Sequence, residues 1–149
     1  MLSERDGVTR SAGVPTVWQG LLGYVDANDL KFSTMRRTVI GGSACPPAMM
    51  KAFQERFDVQ VLHAWGMTEM SPVGTVATLK GKQAELPPDR RFALQAKQGR
   101  SVYGVDMKIV GADGAELPWD GEQAGELLVR GPGVIEKYFG AAAGDPLVV

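Results

Sequence analysis

The sequence predicts an α/β fold in which strand, helix and strand form part of a parallel sheet, followed by a small β-rich subdomain. Two short apolar stretches, Val39-Ile40 and Val59–Leu62, each lead into a glycine-containing turn. Between them, apolar residues recur at helical spacing. From Val102 onward, apolar and polar residues alternate around Asp113-Gly114, which is a strong signal for a hairpin turn.

The first predicted element is an amphipathic helix. Pro15 suits a first helical turn, and the helix is expected to stop near Asn28-Asp29. Four apolar residues recur at helical spacing in between: Val17, Leu21, Leu22 and Val25. A polar connection, Leu30–Thr38, then leads to the first strand.

The strand-helix-strand unit follows directly. Its helix should begin after Cys45, because Pro46-Pro47 fits a first turn. An apolar stripe marks its buried face: Met49, Met50, Phe53 and Phe57. Two strands joined by such a helix are expected to be parallel, with a right-handed crossover. The turns Gly41-Gly42-Ser43 and Trp65-Gly66-Met67 then share the carboxyl edge of the sheet, where ligands bind in open α/β sheets.

A change of composition near Leu79 predicts an internal boundary. Residues 1–79 form the α/β part, and residues 80–98 connect it to the β-rich subdomain, residues 99–149. Lys80–Lys97 contains glycine, prolines and many charges, so we expect a loop with one helical turn. In the last part, Leu127–Val129 is predicted to be a strand, and Val134, Ile135 and Tyr138 to lie on a short helix.

The composition argues against several classes of protein. A net charge of -1, from 16 basic and 17 acidic residues, indicates neither a nucleic-acid nor an anionic-membrane partner. The single cysteine, Cys45, excludes an internal disulfide, and no apolar run reaches transmembrane length. The N-terminus lacks the pattern of a signal peptide, so the cytoplasm is the expected compartment. A homo-oligomer remains open.

The residues from His63 to Pro72 combine groups that suit a nucleotide. Trp65 offers a flat ring for a base, and Gly66 allows a close approach of the backbone. Thr68 offers a hydroxyl for a phosphate oxygen, and Glu69 offers a carboxylate for a hard cation such as Mg²⁺. The sequence therefore predicts a nucleotide site at this strand end.

Each of these residues also has an ordinary structural interpretation. Trp65 could be a core aromatic, and Glu69 a solvated carboxylate or a charge at a helix N-terminus. On its chemistry alone, His63 is better explained as a hydrogen-bonded core residue than as a catalytic base, because no partner is adjacent in sequence. Gly41-Gly42 could simply be a turn. Cys45 is interpreted as a small buried residue.

The run Trp65-Gly66-Met67-Thr68-Glu69 resembles the Tyr-Gly-x-Thr-Glu motif of adenylate-forming enzymes. Three further segments resemble motifs of that superfamily, in the same order: Gly41–Pro46, Gly99–Val105 and Gly125–Pro132. The resemblance covers about Val8 to Val149. It is nearest to medium-chain fatty acyl-CoA and methylthiopropionyl-CoA ligases.

The resemblance implies a role for each residue of the site. Thr68 would contact phosphate and Glu69 would hold Mg²⁺, which makes these two the expected catalytic residues. The expected nucleotide-binding residues are Gly42, Ser43, Ala44, His63, Ala64, Trp65, Gly66 and Thr68. The expected acyl-substrate residues are Gly42, His63 and Met67. ATP or AMP, Mg²⁺, CoA and a small carboxylate are the implied cofactors and partners.

The same resemblance predicts that the chain is an internal piece of a large N-terminal domain. It contains no Ser/Thr-rich phosphate loop and no C-terminal domain with a catalytic lysine, and Asp145 precedes the expected position of the ribose aspartate. The piece should supply the adenine wall of an ATP-dependent fatty acyl-CoA ligase, with a medium-chain acid as the first guess, and should be inactive by itself. Two alternatives stay open: a non-catalytic nucleotide-binding or interaction module, and an adenylate-forming enzyme for aryl or amino acids.

Overall fold

The computed structural model describes residues Leu2–Gly140, which form two compact units. The first unit contains the described residues up to Gly66 together with Thr75–Arg100. The second contains Met67–Gly74 together with the described residues from Ser101 onward. No helix in this part of the chain is long and apolar enough to cross a membrane.

Helices and strands alternate in the first part of the chain, up to Gly66. In order they are α1 (Leu2–Arg5), β1 (Arg10–Gly13), α2 (Pro15–Ala27), β2 (Arg37–Ile40), α3 (Pro47–Lys51), β3 (Gln60–Gly66), β4 (Val73–Val76), α4 (Gly81–Ala84), α5 (Pro88–Gln95), β5 (Arg100–Ser101), β6 (Asp106–Val110), β7 (Glu116–Leu117) and β8 (Glu126–Arg130). A π-helical stretch, Ala52–Arg56, continues α3, and a 3-10 turn, Thr68–Met70, follows β3.

Parallel pairing of the first three strands confirms the predicted fold class. β1 pairs with β2 and β2 pairs with β3, with Ile40 opposite His63 at the last paired position of β2 and β3. The five-stranded sheet has the order β1-β2-β3-β4-β5. Helix α2 begins at Pro15 as expected, and α3 with its π-helical continuation connects β2 to β3. The structure therefore contains two consecutive strand-helix-strand units.

An aromatic cluster lies at the centre of the first unit's core. Phe53 is fully buried, meets Trp18 edge to face at 5.7 Å between ring centroids, and stacks on Phe32 at 5.9 Å. Aliphatic and sulfur-containing side chains complete this core: Val25, Met35, Ile40, Cys45, Met49, Met50, Val59 and Val61. Most of the residues that the helical spacing singled out lie in this core or pack against it, but Val17 is 59% exposed and its neighbour Trp18 is buried instead.

The connecting region is more ordered than the sequence indicated. A loop with one helical turn was expected over Lys80–Lys97, whereas the structure has two helices, α4 and α5. Pro88 occupies the first turn of α5, a position that tolerates proline, so these prolines begin a helix instead of marking a loop. Strand β1 was not expected at all, because Arg-Ser-Ala-Gly has no apolar alternation.

In the second unit, β7, β6 and β8 form an antiparallel sheet in that order, as the alternating pattern predicts. The Asp-Gly pair makes the turn: Gly114 has φ +77°, and the Asp113 carboxylate accepts the Ala115 N–H at 3.0 Å. The prediction of a short helix through Val134, Ile135 and Tyr138 is wrong, because the structure has no helix there.

The backbone amides of that segment explain why no helix forms. The Val134 N–H donates to the Gly131 carbonyl at 3.1 Å, and the Ile135 N–H donates to the Glu69 carbonyl at 2.9 Å. The second bond commits an amide to another segment of the same unit, which competes with helical pairing. The boundaries predicted for residues 1–79, 80–98 and 99–149 stay a prediction.

We expect Phe53→Ala to lower the free energy of unfolding by about 3–5 kcal/mol, because it removes a fully buried ring from the aromatic cluster. The matched control is Tyr24→Ala in α2, whose side chain is 55% exposed, and it should change stability by less than about 1 kcal/mol. Urea unfolding of the chain measures both values. Equal losses in the two variants would contradict the assignment of this core.

Candidate functional site

The carboxyl ends of β2 and β3 meet at a small cleft in the first unit. The cleft has a volume of about 230 Å³. Its lining comes from the loop after β2, from the end of β3 and from one residue just before β5: Gly42, Ser43, Ala44, Ala64, Trp65, Gly66 and Gln98. The structure thus brings together six of the residues predicted to bind nucleotide, at the sheet edge where the sequence placed them.

The loop after β2 lies so close to β3 that it depends on glycine. A Cβ at Gly41 would lie 2.9 Å from the Ala64 carbonyl oxygen. Gly42 has φ +80°, and a Cβ there would meet Val14 at 3.0 Å. Both the turn and the close approach expected from this pair are present.

Trp65 forms the aromatic part of the cleft. Its side chain is partly buried, and it is followed by Gly66, the last residue of β3. Because side chains alternate along a strand, Trp65 shares a face of the sheet with Val61 and His63. Both of those side chains are buried, whereas Trp65 keeps part of its surface exposed at the cleft. Its position suits a flat ligand, and its stacking on a base stays a prediction.

His63 does not contribute to the cleft surface. Its side chain is 2% exposed, and its Nε2 accepts a hydrogen bond from the Cys45 backbone N–H at 3.2 Å. The Nδ1 atom has no partner among the described residues. The interpretation of His63 as a hydrogen-bonded core residue therefore matches the structure, while its predicted contacts with nucleotide and acyl group stay predictions.

Cys45 is buried as expected. Burial raises the pKa of its thiol from 9.0 to about 11. A thiol in this environment is a poor nucleophile at neutral pH, because the reactive species is the thiolate. The structure therefore assigns Cys45 a packing position at the start of the helix that follows the loop.

Met67, Thr68 and Glu69 belong to the second unit. Met67 has extended backbone angles and precedes the 3-10 turn formed by Thr68–Met70. The Thr68 side chain is exposed and Glu69 is partly exposed. Glu69 forms no ion pair with any described residue. Its carboxylate is thus available to a cation, and its carbonyl oxygen is fixed by the Ile135 N–H.

The sequence-based prediction of the site missed one residue of the cleft, and one residue that it considered lies outside the described residues. Gln98 lines the cleft but was assigned to the connecting region, and only its position directly before the motif glycine Gly99 pointed to it. A Cβ at Gly99 would lie 2.2 Å from the Val76 carbonyl carbon, which explains why that motif begins with glycine. Asp145, which was expected to precede the ribose aspartate, lies outside the described residues.

A larger cleft of about 600 Å³ lies elsewhere in the first unit, beside α5. It contains none of the predicted site residues. Gln54 and Gln95 close part of it by donating to each other's amide oxygens, at 3.3 and 3.1 Å. The paired amides satisfy one another, whereas the charged side chains of Glu55, Asp58 and Arg91 also line this cleft.

A model of the family described as AMP-binding enzyme matches residues 2–139. The chain belongs to the AMP-binding enzyme family. The match includes the loop after β2, the end of β3 and the Thr-Glu pair, so the predicted superfamily is confirmed.

Curated members of the AMP-binding enzyme family show how much of a relative the chain covers. It is 48% identical over 133 residues to a 3-methylmercaptopropionyl-CoA ligase from Ruegeria lacuscaerulensis, covering 89% of this chain and 25% of that protein. It is 46% identical over 142 residues to a medium-chain-fatty-acid–CoA ligase from Ectopseudomonas oleovorans, covering 95% and 26%. The chain therefore spans about a quarter of the length of the curated relatives it matches.

Solved structures of this family share the fold. A long-chain-fatty-acid-CoA ligase from Archaeoglobus fulgidus gives a TM-score of 0.75 at 22% identity, covering 93% of this chain and 28% of that chain. An o-succinylbenzoate CoA synthetase from Bacillus subtilis, in complex with its acyl-adenylate intermediate, gives 0.71 at 23% identity, covering 95% and 26%. At these identities the likeness establishes the fold alone.

We expect Cys45 to react slowly with iodoacetamide in the folded chain. A pKa raised from 9.0 to about 11 lowers the thiolate fraction at pH 8 by about 100-fold relative to the unfolded chain. Because the folded-state pKa is the higher one, this contribution to stability is complete below pH 9 and is lost as the pH rises towards 11. Alkylation rates with and without urea at pH 8 check this expectation, and equal rates would contradict the buried position.

Proposed function

We propose that this chain is the part of an ATP-dependent acyl-CoA ligase that supplies the adenine wall and one Mg²⁺ ligand. The longer protein joins a carboxylate to AMP with release of pyrophosphate, and then transfers the acyl group to the thiol of CoA. The observation that carries this proposal is the cleft in which the loop after β2 and the end of β3 meet. The ligase names of the two relatives support the choice of reaction.

The nucleotide would be held mainly by backbone and by one ring. Gly42, Ser43 and Ala44 line the cleft in a tight turn that the glycines allow. Trp65 provides an aromatic face for adenine, and Gly66 keeps the strand end free of a side chain. A base recognised in this way is bound by stacking and close packing, which favours a flat ligand over a charged one.

Mg²⁺ suits the residues that follow this wall. The described residues contain no group of three acidic, histidine or cysteine side chains that could hold a metal. One carboxylate, Glu69, beside one hydroxyl, Thr68, is nevertheless enough for Mg²⁺, which usually takes one or two carboxylates plus phosphates of the nucleotide. When bound, Mg²⁺ neutralises charge on the phosphates. Glu69 then binds the ion, and Thr68 orients a phosphate oxygen.

The acid substrate is proposed to be a small or medium-chain carboxylate. The two relatives are named for 3-methylmercaptopropionate and for medium-chain fatty acids, both of which are unbranched acids. Gly42, His63 and Met67 remain the proposed acyl-site residues of this chain. A panel of straight-chain, aryl and amino acids offered to the longer protein would distinguish this proposal from an adenylating enzyme for aryl or amino acids.

The activity belongs to the longer protein. Relatives are about four times the length of this chain, and rate enhancement depends on groups positioned against developing charge, each worth about 10²-fold or more. Expressing the longer reading frame and measuring carboxylate-dependent pyrophosphate release tests the proposal, with the 149-residue chain assayed in parallel. We expect turnover from the longer protein alone. No turnover with any acid would refute the proposed function.

We also propose the cytoplasm as the compartment of the longer protein.

In the longer protein, Trp65→Ala should weaken ATP binding about tenfold or more, whereas Trp65→Tyr should bind nearly as wild type. Base–aromatic stacking contributes roughly 1–3 kcal/mol, and Tyr keeps an aromatic face. ATP titrations give the affinities, and melting temperatures show how much of each effect is structural. An Ala variant that melts early yet binds ATP normally would mean that Trp65 is only a packing residue.

Glu69→Gln in the same protein should lower kcat far more than it changes the affinity for the acid. Removing a cation ligand acts where charge develops during phosphate displacement, so the loss appears in the chemical step. Glu122→Gln, which changes an exposed carboxylate of the same unit, is the matched control. The assignment fails if kcat at saturating Mg²⁺ is the same in Glu69→Gln as in the control.

A further inference from the structure

The loop that forms one side of the cleft is fixed to the rest of the first unit at its two ends. At the first end, the Gly41 N–H donates to the Gly13 carbonyl at 3.4 Å. At the other end, the Cys45 N–H donates to Nε2 of His63 at 3.2 Å. Among the described residues, nothing hydrogen-bonds Gly42, Ser43 or Ala44 between these points. The hydrogen bond from the Cys45 N–H to His63 therefore fixes the position of the loop at the end of its cleft-lining residues 42–44.

The chemistry of this bond requires a particular form of the imidazole. Nε2 can accept a hydrogen bond from an amide only when it carries no proton, so the ring is neutral with its proton on Nδ1. That Nδ1–H has no partner among the described residues, although the side chain is 2% exposed. A buried donor without a partner opposes folding, so a residue present only for stability would be better apolar at this position.

We propose that His63 is a positioning residue: its neutral ring holds the end of the cleft loop, residues 42–44, against β3 and so sets the space available to the base. This inference rests on the proposed nucleotide function. Towards the nucleotide it replaces the expected direct contact of His63 with action through the Cys45 amide, and it leaves the acyl-site proposal for His63 unchanged. His63 lies opposite Ile40, the last residue of β2, and the bond connects it to Cys45, at the far end of the loop that follows β2.

Two substitutions separate this role from its alternatives. His63→Gln keeps an acceptor at a reach close to that of Nε2, whereas His63→Leu keeps bulk but removes the acceptor. If His63 only fills the core, Leu should serve at least as well as Gln. If His63 positions the loop, Gln should restore what Leu loses.

The first measurement is ATP binding by the longer protein. We expect His63→Leu to raise the dissociation constant for ATP about tenfold, because the loop no longer holds its position. We expect the dissociation constant of His63→Gln to stay within about threefold of the wild-type value. The proposal would be overturned if His63→Leu bound ATP as tightly as wild type, or if His63→Gln bound ATP as weakly as His63→Leu. Melting temperatures of both variants separate loss of binding from loss of folding.

The second measurement needs no nucleotide and no variant. The chain contains a single histidine, so its imidazole ¹⁵N signals in the 149-residue chain are unambiguous. We expect Nε2 without a proton and Nδ1 protonated. The opposite tautomer would overturn the proposal even if the Leu variant does not fold.

The single cysteine reports on the same end of the loop. Alkylation of Cys45 should become faster in His63→Leu and stay slow in His63→Gln, because loss of the bond exposes the residue that donates it. Equal protection of Cys45 in both variants would overturn the proposal. A wild-type longer protein that binds no ATP would instead refute the proposed function, and the tautomer and alkylation data would remain interpretable as evidence about the bond alone.

Discussion

Parallel pairing of β2 with β3 is the constraint on which the cleft depends. It brings the carboxyl ends of two strands to one edge, although 18 residues separate His63 from Cys45 along the chain. The helix between the strands can connect them only because its apolar side, centred on Phe53, packs against the sheet. Burial of a few aromatic and sulfur-containing side chains therefore positions the sheet edge at which the cleft lies.

The cleft itself is built from backbone more than from side chains. Glycine at positions 41 and 42 allows the loop to lie against Ala64 and Val14, where any larger residue would push it away. A surface of this kind suits a flat ligand, and Trp65 supplies its one aromatic ring. The carboxylate of Glu69 and the hydroxyl of Thr68 belong to the second unit.

The sequence was most informative where a residue has few alternatives. The glycine pair, the prolines at helix starts and the apolar stripe that begins in α3 each allow little else, and the parallel unit and the turn after β2 followed from them. It was least informative where pairing depends on distant segments. β1 has no apolar pattern and becomes a strand by pairing with β2, and the Ile135 amide is withdrawn from a helix by the Glu69 carbonyl. The hydrogen-bond partner of His63 was hidden for the same reason, because it is a backbone amide that no motif records.

The proposed function depends most on adenine occupying the cleft between the loop after β2 and Trp65. A crystal structure of the longer protein with AMP tests it directly. We expect the base to be in van der Waals contact with the Trp65 ring and with the backbone of residues 42–44. The Cys45 N–H should still donate its hydrogen bond to His63. Adenine bound elsewhere, with Trp65 packed against the protein and the cleft empty, would contradict it.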